Sequence, residues 1–70
     1  MEWVIVVFPG NRSVIVDGRP FGHTNENLEI TRGTYTFSLG DPQDYSPPER
    51  QLLVHGTNIL NPLKVTFARI

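Results

Sequence analysis

The chain has no cysteine, so disulfides and thiolate metal sites are excluded as sources of stability or chemistry. It has no excess of either charge: six basic and seven acidic residues leave a formal −1, and neither sign forms a run. Arg12, Arg19, Arg32, Arg50, Lys64 and Arg69 are scattered one to a segment. A phosphate-binding stripe is therefore missing, which argues against a nucleic-acid partner. The apolar run from Trp3 to Phe8 is too short to span a bilayer. It also lacks the basic flank and small-residue cleavage site of a signal peptide. No stretch sets apolar residues at helical spacing between capping signals, so no substantial helix is expected.

What remains is a chain of strands and turns. Seventy residues imply one domain, 1–70, burying roughly 60% of the surface its unfolded form exposes. A core of that size supplies about 3–5 kcal/mol of net stability. The organising stretch is Val14 to Thr24. Val14 and Val16 alternate with Ser13 and Ile15, the period of a half-buried strand. Asp17-Gly18 then supplies a two-residue hairpin turn, because Gly adopts positive φ without steric cost. Gly22 breaks the return strand before Thr24.

Glu2 to Phe8 reads as a strand with two apolar faces, Trp3, Ile5 and Val7 on one and Val4, Val6 and Phe8 on the other. Such a strand is either central, with a loop over its outer face, or covered by a second domain or subunit. Pro9-Gly10-Asn11 is a turn by composition. Leu28-Glu29-Ile30 is a short strand, and Thr31-Arg32-Gly33 is expected to turn the chain back as a hairpin loop with Gly33 left-handed. Thr34 to Leu39 alternates most cleanly, with Tyr35, Phe37 and Leu39 inward. The proline-rich Gly40 to Pro48 is an ordered loop. Two further strands, Glu49–His55 and Pro62–Arg69, close the chain. The expected fold is all-β: one small antiparallel β-sandwich of about six to seven short strands.

Little of the sequence suggests reaction chemistry. His23 and His55 have no partner at metal-ligand spacing. Asp41 and Asp44 are hard-cation ligands by type, but they lack the EF-hand rhythm and stand where turn initiators stand. Ser13, Ser38 and Ser46 occupy no nucleophile-elbow context. No enzyme activity, metal or cofactor is expected. Trp3 and Tyr45 are the candidate binding residues, since aromatic faces stack on sugars and peptides at low entropy cost.

The series Pro9 … Val14-x-Val16-Asp17-Gly18 … Gly22-x-Thr24 … Leu28-x-Ile30-x-x-Gly33-x-Tyr35-x-Phe37 resembles the PEGA domain family. The likeness runs from about Val7 to Phe67. Asn25 stands where the family has a proline after the threonine. Asp17, Gly18, Gly22, Thr24 and Gly33 would then be structural turn residues. The resemblance implies a β-sandwich related in shape to carboxypeptidase regulatory-like and transthyretin-like modules. It also implies a non-catalytic interaction or spacer role, as an accessory domain of a bacterial or archaeal surface or envelope-associated protein, with a protein partner or parent-chain domains. The alternatives are a carbohydrate- or cell-wall-binding module using Trp3 or Tyr45, and a small structural protein that self-associates through its first strand.

Overall fold

A computed structural model describes all of Met1–Ile70. It is all-β. Nine strands form in chain order: β1 (Glu2–Val7), β2 (Ser13–Val16), β3 (Arg19–His23), β4 (Asn27–Ile30), β5 (Gly33–Ser38), β6 (Tyr45–Ser46), β7 (Arg50–Val54), β8 (Leu63–Thr66) and β9 (Ala68–Arg69). Seven of them have four residues or more, and the two-residue β6 and β9 pair with each other. One sheet has the order β4-β1-β8 and the other β3-β2-β5-β7. No helix is long and apolar enough to cross a membrane.

Both sheets turn one apolar face inward. Val4, Val6 and Phe8 meet Val14, Val16, Phe37, Val54, Val65 and Phe67 in a single cluster. The period-2 pattern of β1, β2, β5 and β8 produces this face, because alternate side chains leave a strand on opposite sides. Among the two faces of β1, Val4 and Val6 are buried while Trp3, Ile5 and Val7 are only half-buried. β1 is indeed central, flanked by β4 and β8.

Two expectations are corrected. The pairing is not wholly antiparallel: β1 and β8 run parallel, Val4 opposite Leu63 through Val7 opposite Thr66. The reason is topological. β7 ends at the edge of the molecule where β1 begins, so the 55–62 connection re-enters the other sheet there, and β8 must run as β1 does. Second, Thr31-Arg32-Gly33 is not a hairpin loop. β4 and β5 lie in different sheets, and Gly33 is the first residue of β5, opposite Val54, without positive φ. The left-handed non-glycine residues are Asp17 and Asn25.

The Asp17-Gly18 turn forms as its chemistry demands, with φ of 51° and 83°, the two positive values of a type I′ turn. Asp17 does more than turn the chain. Its backbone N–H donates to the Thr36 carbonyl, and its Oδ1 accepts from the Thr36 N–H, each at 2.9 Å. The turn is thereby pinned to β5. Gly18→Val is expected to cost about 1–2 kcal/mol, since a β-branched residue resists φ > 0. Chemical denaturation checks this, and an unchanged midpoint would refute the turn assignment. Gly22 has a different role: Leu28 of β4 packs over it, and a Cβ there would lie 2.6 Å from Leu28 Cδ2, so the leucine side chain would have to shift.

Candidate functional site

The end of the sandwich where β1 begins and β4 ends holds a groove of about 590 Å³. Its apolar lining comes from Met1, Val16, Phe21, Ile30 and Tyr35. Asp17, Arg19, Glu29 and Thr31 supply the polar rim. β3 and β4 are each an edge strand of their sheet, and Leu28 of β4 lies against Gly22 of β3, so the groove opens between two free edges.

Phe21 reaches this groove because the β2–β3 ladder slips. Val14 pairs with Gly22 and Ile15 with Pro20, which leaves Phe21 as the extra residue of a β-bulge. A bulge re-aims its side chain and bends the strand. Phe21 stays 43% exposed. On the facing side, the Tyr35 hydroxyl donates to the Thr31 carbonyl at 3.0 Å and shares a 2.6 Å hydrogen bond with the Thr31 hydroxyl. That fixes the ring as one wall. The rim charges are available: Arg19 and Glu29 make no ion pair, the one such pair in the chain being Arg12–Asp44.

The predicted binding aromatics fall elsewhere. Tyr45 is a core residue, a correction to its candidacy: 4% exposed, packed edge-on against Phe8 and Phe67 with centroids 6.4 and 5.5 Å away. Its hydroxyl accepts from the buried Leu39 N–H. A ring so enclosed cannot stack on a ligand. Trp3 lies on the outer face of the β4-β1-β8 sheet, half-buried, opposite Glu29 of β4. The two aromatics do not come together, and neither lines the groove.

The other singled-out residues are structural or dispersed. Thr24, 4% exposed, links the two loops at the opposite end. Its Oγ1 donates to the Gly10 carbonyl (2.7 Å) and accepts from the Arg12 N–H (3.0 Å). Asn25 extends β1 by imitating a strand: its side-chain amide exchanges hydrogen bonds with the Phe8 N–H and carbonyl, and its own N–H donates to the Val6 carbonyl. A proline could supply neither the N–H nor the φ of 64°. Asn25 thus has a physical job that a proline could not do. His23 and His55 are both exposed, and no three metal-ligating side chains converge. Ser13 lies across from His23 in the ladder, but no side-chain hydrogen bond joins them.

Two carboxylates are held below their ordinary range. Glu2 accepts from the Thr57 hydroxyl and N–H, which lower its pKa. Asp44 is lowered by the hydrogen bond and charge of Arg12. A folded-state pKa below the unfolded one contributes stability above the ordinary carboxylate value of about 4, lost as pH falls through the lowered values. The melting temperature should therefore decline from pH 5 toward pH 2, and the decline should flatten in a Glu2→Gln/Asp44→Asn variant. An equal decline in the variant would assign the acid sensitivity to other groups.

No protein-family model, curated protein or solved structure matches the chain.

Proposed function

We propose that the chain is a non-catalytic interaction or spacer module of the PEGA type, an accessory domain of a bacterial or archaeal surface or envelope-associated protein. The observation that carries the interaction role is the apolar groove between the free edges of β3 and β4. Five apolar side chains, ringed by Asp17, Arg19 and Glu29 that form no ion pairs, suit insertion of side chains from another segment. The residues of the PEGA-like series support the same reading. Asp17, Gly18, Gly22 and Thr24 set backbone geometry and leave recognition to the surface around them.

Selection of displayed random peptides on the immobilised chain tests the proposal. Binders should be lost on Phe21→Ser and retained on Trp3→Ala. Binders indifferent to Phe21→Ser would reject the groove as the site. A second reading, polysaccharide binding, draws on the half-buried Trp3, Ile5 and Val7 column of β1. Pull-down on cell-wall polysaccharide that is lost on Trp3→Ala would favour it.

A further inference from the structure

The β7–β8 connection ends in a turn whose composition is unusual. Asn58 and Asn61 exchange backbone hydrogen bonds, and the Asn58 side chain accepts from the N–H groups of Leu60 and Asn61 at 2.9 and 3.0 Å. Such positions favour Gly, Pro, Asn, Asp and Ser. Here the central pair is Ile59-Leu60, 53% and 86% exposed. Asn58 holds the turn, and the turn holds two large aliphatic side chains in water.

This knob and the groove belong to the same end of the sandwich. Thr57 is bonded to Glu2 and to the Trp3 N–H, while Glu2 pairs with Ile30 of the groove wall. Met1 also lines the groove. The geometry points to a reciprocal dimer in which the Ile59-Leu60 knob of one copy fills the Phe21–Tyr35 groove of the other. The inference rests on reading the groove as an interaction surface.

Three observations favour a second copy as the occupant. The first is complementarity within one chain, since the knob is aliphatic and the groove is apolar and concave. The Asn58–Asn61 turn carries no charge, so it can approach Asp17, Arg19 and Glu29 without like-charge repulsion. The second is the β3 edge. Pro20 cannot donate to an added strand and the Phe21 bulge bends the edge, which disfavours strand addition and leaves side-chain insertion. The third is symmetry: a knob and a groove at one end allow a two-fold axis to satisfy both contacts at once, closing a dimer instead of an open filament.

Area sets the strength. A standard interface takes about 800 Å² from each partner, nearly a fifth of the 4351 Å² surface of this chain. A contact confined to one end of the sandwich is smaller than that and makes a weak dimer.

Sedimentation equilibrium from about 10 μM to 1 mM tests this. Wild type should pass from monomer to dimer and stop there. Leu60→Asp and Phe21→Asp should each weaken association at least tenfold, and an equimolar mixture should recover part of it, because one intact knob then meets one intact groove. A wild type that is monomeric at 1 mM would overturn the dimer, as would one whose association ignores Leu60→Asp. Monomeric protein whose Leu60 instead drives binding to phosphatidylcholine–phosphatidylglycerol vesicles would also overturn it. In any of these cases, peptide binding that still depends on Phe21 would leave the groove reading standing.

Discussion

Thr24→Val is expected to lower the melting temperature by about 5–20 °C. Valine keeps the shape of threonine but replaces the hydroxyl with a methyl. The Arg12 N–H then loses its one partner beside a side chain that is 4% exposed, while the Gly10 carbonyl keeps only the 3.3 Å bond from the Asn25 side-chain amide. A donor stranded in this way costs about 1–3 kcal/mol. In a domain this small, each kcal/mol corresponds to about 4–8 °C. With a net stability of about 3–5 kcal/mol expected for such a core, the variant stands close to unfolding. Thr24→Ser keeps the hydroxyl and should lose far less. A valine variant within about 4 °C of wild type would show that the hydroxyl braces nothing.

Arg12→Met should have a comparable effect by another route. The Arg12 guanidinium donates to the carbonyls of Leu39, Gly40 and Pro42 and pairs with Asp44. It also lies 5.9 Å from the Phe8 ring centroid and 5.6 Å from that of Tyr45. One side chain thus fastens the proline-rich loop to the sandwich. Hydrogen bonds from a charged donor are worth about 1.5–3 kcal/mol in such settings. The expected loss is about 2–3 kcal/mol, with amide exchange accelerating at Asp44 and Ile70, whose N–H groups bond within this loop region. Arg12→Lys should fail to rescue, because one ammonium cannot fork to three carbonyls and a carboxylate. Unchanged exchange at both amides would mean the loop is held by other contacts.

Strand positions are legible because the period-2 pattern is strong in β2, β5 and β8, the β-branched apolar run marks β1, and Asp-Gly is an unambiguous turn signal. The Thr31-Arg32-Gly33 step looks like a hairpin loop in sequence because a short Gly-containing connection is the same whether it joins neighbours in one sheet or crosses between two. Local composition does not encode that choice. The parallel β1–β8 pair was hidden for the same reason, since it depends on where β7 ends.

The candidate site was less legible still. In sequence Tyr45 is a candidate for stacking on a ligand, as any aromatic in a loop is, yet Phe8, Phe67 and Arg12 enclose it from distant parts of the chain. Phe21 carried a usable signal: a large apolar residue between Pro20 and Gly22, where an edge strand bulges. Ile59-Leu60 carried another, two aliphatics where a turn flanked by asparagines favours small polar residues. Neither matters until the fold brings both to one end.

The most direct test of a groove-centred interaction module is amide chemical-shift mapping, with a pool of extended peptides titrated into the isotopically labelled chain. Perturbations should concentrate at Arg19, Phe21 and Glu29 to Thr31, and should vanish in Phe21→Ser. Perturbations centred on Trp3 to Val7, or none at all, would contradict the account.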